Sequence, residues 1–368
     1  MIFDRIKKEL QAAHLNLLGT CSNVPILVIE SDDWGAIRMP NSNVYSKLKG
    51  KGIPVESSIY CKYDQLESNE DVDLLINILS GIKNENGKNP VITTNFVVAN
   101  PDFDKIKQAD FKEYFYKSIE ETYKNTKGSE NLIKKVKQAQ SEKLIQPQFH
   151  GREHVNVPLW LELLKSNNDF LFAFNLGLWG LSKDVFPAMK KSIQATYDSI
   201  DDNYAKESIE SGLKLFEEIF GFKSKTFIAN NYIWSEALNP VLVENEVTHL
   251  QGMKYQLLPL EHNESRKKIR RFSGQKNNLG ITYGIRNCTF EPTEMGDTVE
   301  STMNQISRSF MFKKPAIIST HRVNFSGGLD TKNRDLNLKN FEILLKSIVN
   351  RWPDIIFLSS DELINIIK

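Results

Sequence analysis

The 368-residue chain is poor in cysteine and in net charge, and it has no long apolar run. Its three cysteines, Cys21, Cys61 and Cys288, are odd in number and widely scattered, so no disulfide framework is implied and a reducing, cytoplasmic setting is expected. A formal net charge of +1 supplies no field suited to nucleic acid or to an anionic membrane, and neither is expected as a partner. The dense basic run ESRKKIRRF at 264–272 reads as a solvated loop. No stretch is apolar for the length that a bilayer span requires. The opening MIFDRIKKELQAAHLNLL has neither a continuous apolar segment nor a small-residue cleavage site, so it reads as an amphipathic helix over about residues 1–20 rather than a signal peptide. Internal repeats and low-complexity linkers are also missing, which favours one domain over 1–368.

What the chain does hold is an ordinary globular balance, 40% hydrophobic and 25% charged, enough for a large core. Short apolar, β-branched runs occur at 25–31, 90–98, 144–150, 169–175, 225–231, 279–287, 315–321 and 353–360. Amphipathic helix patterns lie between them, at 69–85, 111–126, 206–221 and 337–352. Continuous apolar strands alternating with such helices indicate a parallel sheet covered by helices. Seven or eight units of this kind predict an α/β fold, a closed or distorted (β/α) barrel, with helical excursions at 104–145 and 184–210.

Polar residues are concentrated at the ends of these runs. SDDWG follows the first, HGREH the third, NNYIW the fifth and THRVNF the seventh. Loops that follow barrel strands meet on one face, and that face carries the chemistry. Asp32, Asp33, His150, His154, Tyr232 and His321 are therefore expected in one neighbourhood. Two imidazoles and one carboxylate can hold a divalent ion while leaving positions open for water and substrate. The second carboxylate can then take a proton from water, and His321 can give one to a leaving group. Arg322 is placed to orient His321 or to neutralise a carboxylate. Trp34, Trp160, Trp179 and Trp234 are available as aromatic walls against sugar rings, or as core.

In this order the motifs resemble those of the polysaccharide deacetylases, the carbohydrate esterases with the NodB-homology fold. T-F-D-D is similar to ESDDWG, which implies Asp32 as catalytic base and Asp33 as metal ligand. H-[ST]-x-x-H is similar to HGREH, which implies His150 and His154 as the remaining ligands. R-x-P-Y falls on ANNY, implying that the Tyr232 backbone N–H binds the oxyanion. L-x-H is similar to ISTH, implying His321 as the acid. The resemblance implies a distorted (β/α)7 barrel, a divalent cofactor (Zn²⁺, with Co²⁺, Ni²⁺ or Fe²⁺ also suited) and hydrolysis of an N- or O-acetyl group from a saccharide. Asn231, Trp34, Trp234, Arg286 and Arg322 are the expected substrate contacts.

The chain departs from the family pattern at several points. Gly151 stands where Ser or Thr is usual, Ala229 where the third motif has its arginine, and Asn231 where it has proline. Arg152, Arg286 and Arg322 are candidates to replace that arginine. The motif that supplies a carboxylate to the acid has no match between 235 and 310, where Arg286 and Glu291 are candidates. Three other readings compete. HGREH also fits H-x-x-E-H, a helical metalloprotease pattern with Glu153 as base. A barrel glycoside hydrolase would pair Asp32 or Asp33 with Glu291. A degenerate carbohydrate-binding barrel would have no catalysis.

Overall fold

The computed structural model describes residues 16–199, 202–260 and 265–366. Most of the helix expected over 1–20 lies outside these residues, and residues 16–19 form turns and bends.

The sheet contains β1 (Ile26–Trp34), β2 (Ile92–Phe96), β3 (Ile145–Phe149), β4 (Thr226–Phe227), β5 (His249–Gly252), β6 (Thr282–Ile285), β7 (Cys288–Thr289), β8 (Ala316–His321) and β9 (Ile356–Leu358). All its ladders are parallel, in the order β6-β5-β4-β3-β2-β1-β8-β7, with β9 added beside the start of β1. The sheet curls into an open, distorted barrel, the α/β architecture that the alternating pattern predicts. Every residue of β1 is buried, which is why ILVIE carries apolar side chains on both faces.

Helices cover the outside. They include α1 (Ser42–Gly50), α2 (Asn69–Ser80), α3 (Leu132–Ser141), α4 (Val157–Ser166), α5 (Asn168–Phe174), α6 (Asp202–Phe220), α7 (Val299–Met311) and α8 (Thr331–Arg351). Helix α2 begins where Ser68 and Asp71 form a reciprocal capping box. Its Leu75 and Leu79 join Leu27 and Ile29 of β1, Val136 of α3, Phe216 of α6 and Leu344 of α8 in one core. A second apolar cluster holds Trp160, Phe170, Phe174, Trp179 and Ile193 beneath the excursion that follows β3.

Four local expectations are overturned. The run at 169–175 is helix α5, because a short apolar run has no periodicity that separates a buried strand from a buried helix. Asn167 decides it, its side chain accepting from the Asp169 and Phe170 N–H groups as a cap. The helix expected over 111–126 instead contains a strand, Tyr116–Ser118, paired with Ala99–Pro101, and then the short helix Ile119–Lys124. The basic run reaches into a strand, Lys268–Arg270, antiparallel to Tyr255–Leu257. Strand β5 was not expected, since the buried polar residues His249 and Gln251 break its apolar signature.

The turn after β3 requires glycine. Gly151 has φ +114°, and a Cβ there would lie 2.9 Å from the Tyr197 Oη and 3.1 Å from the Glu153 carbonyl oxygen. This accounts for the departure from Ser or Thr at that position. Gly151→Ala is expected to destabilise the fold by about 1–3 kcal/mol, read as a lower denaturant midpoint with an unchanged slope.

Candidate functional site

Three strand ends build the centre of the site. Strand β1 loses register with β2 between Ser31 and Trp34, and Asp33 takes φ +73° within this irregularity. Aspartate is among the few non-glycine residues that tolerate the left-handed region, and a bulge re-aims the side chains that follow it. The Trp34 indole N–H donates to Ser31 Oγ at 2.9 Å across the same bend. The result turns Asp33 toward the loop after β3. Its Oδ1 lies 3.4 Å from His150 Nε2 and 3.1 Å from His154 Nε2.

The donor set fits a divalent ion. One atom from each of Asp33, His150 and His154 lies within 4.8 Å of the others, and all three residues are buried. His150 Nδ1 is 2.9 Å from the Ile228 carbonyl oxygen, which only an N–H can satisfy. With Nδ1 donating to that carbonyl, Nε2 is the nitrogen that faces Asp33. Burial and the adjacent Arg38 push His154 down to about 4, so its ring is neutral near pH 7. Burial alone would raise the Asp33 carboxyl, but Arg38 and the two imidazoles hold it well below the ordinary range. Two imidazoles and one carboxylate make a common ligand set for zinc-like ions.

Asp32 and His321 face each other across the β1–β8 ladder, where they are register partners. Arg286 donates from two nitrogens to the two Asp32 oxygens, at 2.6 and 2.7 Å, and Asn95 Nδ2 donates to Oδ1 at 2.7 Å. Burial would raise this carboxyl, yet the guanidinium keeps it ionised far below the usual range. His321 Nε2 lies 3.8 Å from Asp32 Oδ2, while its Nδ1 lies 2.6 Å from Glu291 Oε1. Asn324 Nδ2 donates to the other Glu291 oxygen at 2.8 Å. Burial would lower the imidazole, but Glu291, Asp32 and Asp33 raise it well above its ordinary value. One pocket thus holds an ionised carboxylate beside an imidazolium, an acceptor and a donor ready at the same pH. The pocket has a volume of about 480 Å³ and is lined by Asp32, Asp33, His150, His154, Tyr232 and His321 among others.

Other expected residues fall elsewhere. Arg286 is fully buried, joining Asp32 to Glu30 (Nε to Oε2, 2.7 Å), so it anchors the carboxylate rather than meeting substrate. Arg322 is also fully buried, donating to Asp64, Glu67 and the Ala36 carbonyl rather than orienting His321. Trp34 and Trp234 are core residues, at 1% and 3% exposure, not walls of the pocket. Asn231 does line the pocket, with φ +55°. Tyr232 lines it too, but its N–H donates to the Ala229 carbonyl at 2.9 Å, so the oxyanion role expected of that amide is not available in this geometry. The cause is the tight 230–232 turn, which closes that hydrogen bond on itself.

The helical protease pattern is also overturned. Residues 150–156 contain no helix, and Glu153 is tied to Arg152 at 2.6 Å, Tyr204 at 2.7 Å and Ser208 at 2.8 Å. Two contributors escaped the sequence analysis. Arg38 sits four residues past the SDDW bend and donates to Asp33 Oδ2 at 2.7 Å. Asn95, at the end of β2, has only its position at a strand end to mark it.

No family model matches the chain. No curated protein matches it in sequence. Among solved structures it is similar to a 4-alpha-glucanotransferase from Thermococcus litoralis, at 8% identity and a TM-score of 0.48 over 93% of this chain and 40% of that one. It is also similar to a Mycobacterium smegmatis protein assigned to the polysaccharide deacetylases, at 9% and 0.43 over 95% and 94%. A third is an alpha-amylase from Thermotoga maritima, at 9% and 0.44 over 93% and 74%. The chain thus spans well under half of the glucanotransferase.

Removing the Glu291 charge should release the His321 proton more easily. Glu291→Gln is expected to lower the His321 pKa, since the adjacent carboxylate favours the charged imidazole. NMR titration of the ring carbon-bound protons measures this without a substrate.

Proposed function

We propose that residues 1–368 act as one barrel domain that hydrolyses an acetyl group, on nitrogen or oxygen, from a saccharide. The observation supporting it most directly is the convergence of His150 Nε2, His154 Nε2 and Asp33 Oδ1 beside the Asp32–His321 pair. The saccharide class is supported by the ordered resemblance of ESDDWG, HGREH and ISTH to deacetylase motifs.

Held by Asp33, His150 and His154, a divalent ion such as Zn²⁺ (or Co²⁺, Ni²⁺ or Fe²⁺) would polarise the acetyl carbonyl and acidify a water enough for a strongly acidic carboxylate to accept its proton. Asp32 is that acceptor, and Arg286 with Asn95 fixes both its oxygens. As the water oxygen bonds to the acyl carbon, its proton passes to Asp32. When the C–N or C–O bond breaks, His321 gives a proton to the departing amine or alcohol, and acetate leaves. Glu291 and Asn324 keep the His321 ring aimed throughout.

A two-carboxylate glycosidase is less well supported. Asp32 is gripped by Arg286, and Glu291 is committed to His321, so neither is a free acid for a glycosidic oxygen. A binding barrel without catalysis would hold glycan and release no acetate.

Two neighbouring variants separate the roles. Asp33→Asn should lose tight Zn²⁺ uptake and acetate release together. Asp32→Asn should retain Zn²⁺ and lose roughly 10²–10⁴ in kcat, the usual worth of a positioned proton acceptor. Metal analysis with an acetate-release screen over acetylated oligosaccharides checks both. Full turnover by Asp33→Asn, or no release from any substrate by the metal-loaded wild type, refutes the proposal.

The acid limb of activity should move as well. Arg286→Met removes the largest influence opposing burial at Asp32, so activity should fall away at a higher pH than in the wild type. A pH–kcat/KM profile on the substrate found by the screen measures the shift.

A further inference from the structure

We infer that Arg38 is a positioning residue that restricts Asp33 to one ligand oxygen and sets how tightly the Asp33–His150–His154 group holds its ion. This rests on the metal reading above.

The two Asp33 oxygens have different neighbours. Oδ1 faces both imidazoles, whereas Oδ2 accepts from Arg38 Nη2 at 2.7 Å. The same Nη2 lies 3.4 Å from His154 Nε2, so the guanidinium occupies the outer edge of the ligand group. Its position is fixed from several sides. Arg38 is 4% exposed, and its guanidinium carbon lies 5.1 Å from the Tyr60 ring centre and 5.3 Å from that of Trp179. Trp179 in turn stacks on His154, with centres 5.9 Å apart and planes 28° from parallel. Arg38 Nε is 3.6 Å from Asp64 Oδ2, and Asp64 Oδ1 accepts from Arg322 at 2.9 and 3.0 Å. A fixed cation thus stands against one ligand while aromatic faces hold it in place.

Two consequences follow. With Oδ2 engaged by an N–H, the carboxylate offers a single oxygen, which keeps the coordination number low and leaves positions open. Secondly, Arg38 offsets the Asp33 charge, so a bound dication is less neutralised and polarises its other partners more strongly. The same positive charge repels the ion, so affinity is lower than the three ligands alone would give. Removing the charge should therefore tighten binding, the reverse of what loss of a mere scaffold residue does.

The test uses the full chain and the ions Zn²⁺ and Co²⁺ alone. Affinity is measured by competition with a chromophoric chelator, and coordination by the visible absorption of the Co²⁺ form. Arg38→Met should bind Zn²⁺ at least roughly tenfold tighter than wild type. Its Co²⁺ bands should weaken as the freed Oδ2 joins the ion and raises the coordination number. Arg38→Lys, which keeps the charge and a donor, should stay within about threefold of wild type and keep the wild-type spectrum. Near-UV circular dichroism checks that each variant is folded. If Arg38→Met does not fold, Arg38→Lys decides alone: tightened binding or weakened Co²⁺ bands overturn the inference. Unchanged or weaker affinity in folded Arg38→Met also overturns it. A wild-type chain that takes up neither ion removes instead the metal reading on which it stands.

Discussion

The Asp33 carboxylate divides its oxygens between two kinds of partner, with a pair of imidazoles on Oδ1 and a guanidinium on Oδ2. That division depends on the left-handed backbone at Asp33 and the register break of β1 beside it. In a regular strand the neighbouring carboxylates of Asp32 and Asp33 would point to opposite faces. The bend instead leaves Asp32 in its ladder opposite His321 and swings Asp33 toward the turn after β3. A short polar side chain keeps the conformational cost small, and His150, His154 and Arg38 over-determine the position.

The barrel interior explains how so many charges are buried together. Arg286 bridges Glu30 and Asp32, and Gln251 joins Asn95 to Thr226 beside them. Arg322 performs the same service for Asp64 and Glu67. A buried charge without a partner is costly, so each carboxylate has a cation or a donor within hydrogen-bonding distance. These networks hold proton states as well as positions. Asp32 is kept ionised by Arg286, while His321 is kept protonated by Glu291. The opposed states suit acid–base work because different neighbours impose them.

Much of this was legible along the chain. The strand ends carrying Asp32, Asp33, His150, His154 and His321 stood out because polar residues there interrupt apolar runs. Their convergence followed from parallel strands alone. Arg286 and Glu291 were visible as candidates, each with more than one role open to it. Arg38 was not, because an arginine four residues beyond a strand resembles any surface residue until the loop folds back. The helix at 168–174 was misread for a related reason: FLFAF is apolar throughout, and one capping Asn167 outweighs the pattern. The tryptophans misled because aromatic size suits a sugar wall and a core equally well.

By itself the sequence determined the α/β class, the order of the strands that matter, and the kinds of side chain delivered to one face. These follow from periodicity and chain order, which are local properties. Only the tertiary structure decided which arginine holds Asp32, which carboxylate holds His321, that the Tyr232 amide is engaged, and which oxygen of Asp33 faces the imidazoles. Those choices are made between groups far apart in the chain, by ladder register and by a single backbone bend. Buried charges accept only the partner that geometry brings within about 3 Å.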